Sequence, residues 1–272
     1  PYPADHLDEN GIVDAQHLAE LAKRSQVKSW MGAGAMYGNA HVVRAAKKVI
    51  RQKLKGTASR LMFFTPESVA RFAAASHWVP FDFGRSLQNL FGTLSKSLQL
   101  LAGAPSEIAL PLAYWVAGKP PLEAAAMNPA HDGCGLIWYA PLVPMNPETV
   151  IAYKQMVTRV CAAHGIEPLI TLTSVSDRCF DSTVPLLFDP AVAGQQDRAN
   201  RCFAALLDEG RKLGCTPYRA PIADMGRFIQ LDAPYWQVVG LLKQALDPLN
   251  LISPGRYAPK TLGPANEAGA AP

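Results

Sequence analysis

Between residues 135 and 220 the sequence alternates strand-like and helix-like segments, and this alternation limits the possible folds more than any other feature. Apolar runs of strand length predict strands over 135–142, 169–175, 179–187 and 216–220, and helical spacing predicts helices over 147–164 and 196–213. The resulting order, βαββαβ, is that of a ferredoxin-like unit. We therefore expect an α+β fold, with a largely antiparallel sheet and helices packed on one of its faces.

The first hundred residues carry clear helix-start signals. Asp14 and Asn39 are placed to cap helices that run through Arg24 and Leu54, and Thr65-Pro66-Glu67 combines a cap, a proline and an acid. Residues 84–101 repeat apolar side chains at helical spacing. Strands are predicted over 27–37 and 61–64, where they would give half of a second ferredoxin-like unit to the same sheet.

Composition excludes several classes of protein. The 272 residues are 49% hydrophobic and 18% charged, as in a folded globular chain of one large or two small domains. No apolar run reaches 18 residues, so no membrane span is expected. Between Glu20 and Glu67 every charged residue is basic. A solvated basic helix surface explains this better than nucleic-acid binding, which remains the alternative, because no aromatic recognition motif accompanies it.

The five cysteines are odd in number and form no CxxC pair, which predicts reduced thiols rather than a disulfide framework or a zinc site. We expect a cytoplasmic protein, with the periplasm as the alternative. The sequence begins at Pro1 without a methionine, and we expect an excised or partial chain.

Three motifs that are typical of functional sites are incomplete or absent in this sequence. The glycines of residues 32–38 resemble a dinucleotide fingerprint, but the third falls one residue late and no acid follows before Glu67. His131, Asp132 and Cys134 lack the partner ligands of a metal site. A GxSxG nucleophile motif is absent.

The C-terminal stretch is the strongest candidate for a site. Tyr218 and Arg219 precede an amphipathic helix, and Arg256 follows it in the sequence Ser-Pro-Gly-Arg. Guanidinium groups offer five donors in a planar fork, so two of them in a covered pocket would bind an anion or an electron-rich ring. Ordinary surface ion pairs are the alternative.

Three stretches together resemble a known family. They are Trp30 with Met36-Tyr37-Gly38, the segment 133–141 (GCGLIWYAP), and Tyr218-Arg219 followed by DPLN at 247–250 and SPGR at 253–256. In this order they are similar to the vanillyl-alcohol oxidase and 4-cresol dehydrogenase family of FAD-linked oxidoreductases, over residues 10–258. The combination of YR with DPxNxxxPGR carries most of the resemblance.

The resemblance implies a division of the chain into two parts. Residues 1–216 would be the substrate, or cap, domain, and residues 217–272 would return to an FAD-binding domain that this sequence lacks. The implied chemistry is oxidation of para-substituted phenols or similar small aromatics, bound as phenolates, by hydride transfer to the flavin. The chain is expected to be inactive until the FAD-binding domain is supplied in cis or in trans.

The resemblance also assigns roles to residues. Tyr218 and Arg219 would hold the phenolate, and Arg256 would contact substrate or offset negative charge on the flavin. Tyr114 falls near a tyrosine that tethers FAD covalently in the cresol enzyme, out of register by one residue. Trp138 and Trp115 would line the substrate pocket.

The sequence also departs from the family pattern. The histidine that tethers FAD in the vanillyl-alcohol enzyme falls near Leu136, and an acid and a histidine of the cresol enzyme's pocket fall near Leu172 and Asp181.

The expected partners follow from the same resemblance. They are FAD, a small aromatic substrate, the missing FAD-binding domain, a cytochrome c as electron acceptor, and a second copy in a homodimer; no metal, nucleic acid or membrane is expected. The alternative to this enzyme is a ferredoxin-like binding or structural module without chemistry.

Overall fold

The structure is a computed structural model that describes residue 8 and residues 12–24, 30–76, 81–117, 127–230 and 232–256. The chain divides into two compact units. Unit 1 comprises Pro1–Ile137, Ala162–Glu167 and Leu186–Arg201, and unit 2 comprises Trp138–Cys161, Pro168–Pro185 and Cys202–Pro272. No described helix is long and apolar enough to cross a bilayer.

Unit 1 contains the predicted N-terminal helices. They are α1 (Ala15–Arg24), α2 (Ala40–Lys53), α3 (Pro66–Ser76) and α4 (Phe81–Leu101). Asp14 accepts hydrogen bonds from the backbone N–H groups of Gln16 and His17, and Asn39 accepts from those of His41 and Val42. These caps confirm the predicted helix starts, because each side chain satisfies donors that the first helical turn leaves without partners.

Helices α3 and α4 pack against each other. The rings of Phe72 and Phe91 stack with their centroids 5.5 Å apart, and Val69 on α3 is buried. Helix α2 differs, because it has no buried residue along its whole length.

The prediction of two strands within residues 27–64 is wrong for the part of this segment that the structure describes. Residues 30–37 and 61–64 are irregular and join no strand, and residues 27–29 lie outside the described range. A Cβ atom built at Gly32 or Gly34 would meet nothing within 4 Å, so these glycines do not pack a sheet against a helix. The second half-unit of ferredoxin type is therefore absent from the described sheet.

The segment 135–217 forms the predicted sheet and its two helices. The strands are β1 (Gly135–Tyr139), β2 (Pro141–Pro144), β3 (Thr171–Ser174), β4 (Cys179–Phe188) and β5 (Thr216–Pro217), and the helices are α5 (Pro147–Ala163) and α6 (Gln195–Lys212). The first predicted strand is divided at Ala140 into β1 and β2.

The strand order confirms the predicted fold class. β2 pairs with both β4 and β5, β3 pairs with the opposite edge of β4, and all three pairings are antiparallel. β1 is also hydrogen-bonded to β4. If β1 and β2 are taken as one divided strand, the order is fourth, first, third, second, which is the arrangement that a βαββαβ chain adopts in a ferredoxin-like sheet.

Both helices pack on one face of the sheet within unit 2. Tyr153 on α5 hydrogen-bonds Ser182 on β4 at 2.8 Å, and the ring of Tyr139 on β1 meets Phe203 on α6 edge to face. The core between them consists of fully or almost fully buried side chains, namely Tyr139, Val143, Tyr153, Val157, Cys161, Val184, Cys202, Leu206 and Cys215. Burial raises the pKa values of Tyr139 and Tyr153 well above that of a free phenol.

The chain leaves the sheet after β5, as predicted. A 3-10 segment covers Ile222–Phe228, and α7 covers Pro234–Leu246. Proline at the first position of α7 suits the helix start, because its fixed φ is helical and its missing N–H would have no partner there. Residues 257–272, the end of the predicted returning segment, lie outside the described residues.

Candidate functional site

A cavity of about 320 Å³ lies in unit 2, where the chain passes from β5 into α7. Its walls are largely aromatic and carry no charged side chain. The lining residues are Thr216, Pro217, Tyr218, Ala220, Phe228, Tyr235 and Trp236. Ligand pockets commonly measure about 300–1,000 Å³, so this cavity is of the size that takes one small substituted ring.

Tyr218 lines this cavity, and Arg219 contacts the Tyr218 ring. The Arg219 guanidinium carbon lies 5.3 Å from the centre of the Tyr218 ring, within the range of a cation–π contact. Tyr218 is half exposed and Arg219 is exposed, so both are accessible to a ligand. The sequence prediction placed these two residues in one site, and the structure does bring them together.

Helix α6 holds the 3-10 segment in place. Arg211 on α6 donates a hydrogen bond of 2.6 Å to the carbonyl of Arg227, and its guanidinium carbon lies 5.7 Å from the ring centre of Phe228. Arg227 pairs with Asp224 at 3.1 Å and with Asp208 on α6 at 3.5 Å. These contacts fix Phe228 as a wall of the cavity.

The first residues of α7 close the cavity on another side. The rings of Tyr235 and Trp236 meet edge to face with their centroids 5.0 Å apart. Sequence reasoning missed Phe228, Tyr235 and Trp236 as cavity residues. The available signal was the concentration of aromatic residues within twenty positions after Tyr218-Arg219.

The turn after α7 is held by one carboxylate. Lys243 forms an ion pair with Asp247, one helical turn later, and also donates to the carbonyl of Ile252 at 2.6 Å. The two oxygens of Asp247 accept hydrogen bonds of 2.8 Å from the backbone N–H groups of Leu251 and Ile252. These donors, above all Lys243, lower the pKa of Asp247 below its ordinary value.

This closely bonded turn presents apolar side chains outward. Leu249, Leu251 and Ile252 are 77%, 74% and 68% exposed. The only buried residue of α7 is Gly240, and the helix adds further exposed apolar side chains at Tyr235, Val238, Leu241, Leu242 and Leu246. We call these eight exposed residues the α7 surface.

Arg256 lies at the end of the same turn. It is exposed, and its backbone N–H donates to the carbonyl of Ser253 at 3.2 Å. Asn250, Ser253 and Gly255 all have positive φ, which bends the chain sharply before Arg256. Among the described residues, no contact joins the Arg256 guanidinium to Tyr218 or Arg219.

Tyr114 lies in unit 1, in the 3-10 segment Leu110–Tyr114, and is buried. Its phenol donates a hydrogen bond of 2.5 Å to Asp132. Burial and this bond raise the pKa of Tyr114 to about 12, and the same bond lowers the pKa of Asp132. The phenol is thus held in its protonated form.

The two predicted pocket tryptophans differ in their surroundings. Trp138 on β1 is 47% exposed, and Trp115, directly after Tyr114, is half-buried. Neither lines the cavity around Tyr218.

The described residues contain no group of His, Cys, Asp and Glu side chains that would hold a metal ion, and all five cysteines are thiols. Burial raises the pKa of Cys215 to about 11, so this thiol is not a nucleophile near neutral pH.

Two curated proteins are similar to the chain in sequence. The 1'-carboxy-chondrochloren decarboxylase of Chondromyces crocatus is 31% identical over 241 residues, which are 88% of this chain and 44% of that protein. The 4-cresol dehydrogenase [hydroxylating] flavoprotein subunit of Pseudomonas putida is 28% identical over 145 residues, which are 53% of this chain and 28% of that subunit. The chain is homologous to the flavoprotein subunit of 4-cresol dehydrogenase. No protein-family model matches the chain.

Solved structures of FAD-linked oxidases show the same fold. p-Cresol methylhydroxylase with substrate bound has a TM-score of 0.66 and 22% identity over 93% of this chain and 42% of its own. The 4-ethylphenol oxidase from Gulosibacter chungangensis, in its isoeugenol complex, has a TM-score of 0.69 and 18% identity over 95% of this chain and 45% of its own. The chain thus spans less than half the length of these relatives.

Proposed function

We propose that this chain is the substrate-binding part of an FAD-dependent oxidoreductase that oxidises para-substituted phenols or similar small aromatics. The observation that carries the proposal is the contact of Arg219 with Tyr218, whose side chain lines an aromatic cavity of about 320 Å³. The similarity to phenol-oxidising flavoproteins supports it. Activity would require an FAD-binding part, which the family resemblance implies lies outside this chain.

The residues of the cavity would bind and activate a phenol. Tyr218, Phe228, Tyr235 and Trp236 give the substrate ring an apolar enclosure. A free phenol has a pKa of about 10, and a fixed positive charge in a site of low dielectric lowers it. Arg219, which is exposed in this chain, would supply that charge once another part of the protein covers it, and the Tyr218 hydroxyl can donate a hydrogen bond to the phenolate oxygen.

FAD, when bound, accepts a hydride from the benzylic carbon of the phenolate. The chain offers Arg256, exposed on the turn after α7, as a cation to offset charge on the reduced flavin. Most of the contacts to FAD would come from the FAD-binding part of the protein.

The α7 surface supports the proposed division into a substrate domain, residues 1–216, and a returning segment, residues 217–272. A helix that leaves so many apolar side chains exposed is typical of one that packs on another domain. If the α7 surface packs on that domain, the turn held by Asp247 would place Arg256 close to it.

The electron acceptor and the assembly are further parts of this proposal. A cytochrome c would receive the electrons, and two copies would form a homodimer. The relative from Pseudomonas putida is described as the flavoprotein subunit of its enzyme, which supports a protein partner.

A second candidate is oxidative decarboxylation of a para-hydroxyphenyl acid. It is favoured by the decarboxylase of Chondromyces crocatus, whose similarity extends over 88% of this chain. In that reaction Arg219 or Arg256 would bind the carboxylate that is released as CO2. This second function would be identified by a protein that releases CO2 from such an acid and does not oxidise para-alkylphenols.

The test is to produce the chain together with its FAD-binding part, here called the assembled flavoprotein, and to record its absorbance. We expect bound flavin that is bleached by 4-alkylphenols in the absence of oxygen. A colourless assembled protein that cannot be reconstituted with FAD would contradict the proposal and favour a module without chemistry.

A further inference from the structure

Among the described residues, four aromatic side chains and no charged ones line the cavity beside α7. The aromatic residues are Tyr218, Phe228, Tyr235 and Trp236. The face of an aromatic ring carries partial negative charge, so it attracts a cation placed over it. Walls of this composition therefore suit a positively charged group as well as an apolar one.

Two of these rings already hold a cation from the chain itself. The guanidinium carbon of Arg219 lies 5.3 Å from the centre of the Tyr218 ring, and that of Arg211 lies 5.7 Å from the centre of the Phe228 ring. Both distances fall within the range of a cation–π contact. The aromatic residues of this cavity thus attract cations in the folded chain.

The other two rings, those of Tyr235 and Trp236, form a corner at the start of α7. Their centroids are 5.0 Å apart, and their planes are inclined at 83° to each other. In the part of the chain that the structure describes, no arginine or lysine lies over either ring. Tyr235 is exposed and Trp236 is half-buried, so a ligand can reach both. Grouped aromatic side chains of this kind recognise quaternary and methylated ammonium groups.

The lining favours a methylated ammonium group over a primary one. A primary ammonium carries three N–H donors that need acceptors, and no carboxylate of the described residues lines the cavity. A fully methylated ammonium has no N–H donor and presents methyl groups to the rings. The cavity therefore suits a cation whose surface is apolar.

We infer that the rings of Tyr235 and Trp236 bind a methylated ammonium group at the end of the substrate's para side chain. The substrate lies with its phenolate towards Arg219 and its cation towards α7, because the guanidinium attracts the anion and repels the ammonium group. This inference rests on the proposed function and names the class of substrate for the same site, namely phenols with a methylated amine in the para side chain.

The test measures the binding of two unreactive phenols of equal shape to the assembled flavoprotein. 4-[2-(Trimethylammonio)ethoxy]phenol carries the cation, and 4-(3,3-dimethylbutoxy)phenol has a tert-butyl group in its place. Neither has a benzylic carbon, so dissociation constants can be measured from the perturbation of the flavin absorbance. We expect the cation to bind at least about tenfold more tightly, because cation–π contacts strengthen when the site is covered.

Variants of one ring separate a cation–π contact from apolar packing. Trp236→Leu keeps an apolar wall without a ring and should reduce the preference for the cation severalfold. Trp236→Phe has a ring that attracts cations less strongly and should reduce the preference less. Trp30→Leu, at an exposed tryptophan of unit 1, is the matched control and should keep the full preference. The comparison in the parent protein needs no variant, so it decides the inference even where a variant fails to fold.

Oxidation of 4-ethylphenol, measured in parallel, separates the failure of the inference from that of the proposed function. Equal binding of the two ligands, binding of neither, or a preference unchanged in Trp236→Leu overturns the inference; if 4-ethylphenol is oxidised, the proposed function stands. 4-[2-(Trimethylammonio)ethyl]phenol, which has benzylic hydrogens, should also be oxidised, and a protein that oxidises 4-ethylphenol alone would contradict the assigned class of substrate. If 4-ethylphenol is not oxidised, the proposed function fails and the assignment of a substrate class fails with it.

Discussion

The guanidinium of Arg219 lies 5.3 Å from the centre of the Tyr218 ring, and Tyr218 lines an aromatic cavity. This contact keeps a permanent positive charge against the ring of a residue that lines an apolar cavity. Phenolate binding requires the same combination, because an anion needs both charge and donors to compensate for lost water.

Substitution of either residue should therefore slow the oxidation of phenols. Removing a single donor to a developing or bound oxyanion typically costs 10²–10³-fold in rate, and we expect a loss of about that size in kcat/KM for Arg219→Ala and a smaller one for Tyr218→Phe. Steady-state kinetics of the assembled flavoprotein measure it. Arg201→Ala, at an exposed arginine on α6, is the control and should retain full activity.

Gly210 on α6 is required by the packing of Tyr139. A Cβ atom at this position would clash with the Tyr139 hydroxyl and would lie 3.0 Å from the carbonyl of Cys215. Alanine gains up to about 1 kcal/mol in helix propensity, whereas overpacking costs about 1–3 kcal/mol, so we expect Gly210→Ala to lower the free energy of unfolding. Urea denaturation measures it.

Tyr139→Phe should partly rescue that variant, because the hydroxyl that clashes has no hydrogen-bond partner among the described residues. Tyr139→Phe alone should be neutral or slightly stabilising. An equal loss of stability for Gly210→Ala in both backgrounds would show that the hydroxyl is not the obstacle.

Asp247 should make stability depend on pH on the acid side. Its pKa is lower in the folded protein than its ordinary value, mainly because of Lys243. The stabilisation is therefore present above the unfolded-state pKa of about 4 and is lost as the pH falls through the lower folded value. Asp247→Asn should reduce stability at pH 7 and leave a flatter acid limb in urea denaturation; an unchanged acid limb would contradict this role.

Flavin should not be attached covalently through Tyr114. The family resemblance implies this tether, and no comparison tests it; the buried phenol, however, donates to Asp132, and its pKa is raised to about 12. Attachment requires the phenolate, which this arrangement opposes. We expect denaturation of the assembled flavoprotein to release its flavin. Flavin that remains with the denatured parent protein but not with Tyr114→Phe would establish the tether.

The sequence predicted helices and the main sheet well, because their signals are local. Asn39 and Asp14 cap helices through their own side chains, and these bonds form within three residues of sequence. The strands predicted over 27–37 and 61–64, which are wrong for residues 30–37 and 61–64, had a different origin. Trp30, Met31 and Met62 give these segments an apolar character, yet all three side chains are exposed in the structure. An apolar composition predicts that the side chains are buried, but it does not identify the surface against which they pack.

The candidate site was predictable only in part. Tyr218 and Arg219 are adjacent in sequence, so their proximity could be predicted without knowledge of the fold. Phe228 lines the cavity and contacts Arg211 on α6. Such a contact arises from tertiary packing and cannot be read from spacing along the chain.

The most direct test of the central claim is a difference spectrum of a para-halogenated phenol bound to the assembled flavoprotein at neutral pH. Such a phenol has no benzylic hydrogen and cannot react, so its ultraviolet absorbance reports its protonation state. We predict the spectrum of the phenolate in the parent protein and that of the neutral phenol, with weaker binding, in Arg219→Ala. A ligand that binds the parent protein as the neutral phenol would contradict the account.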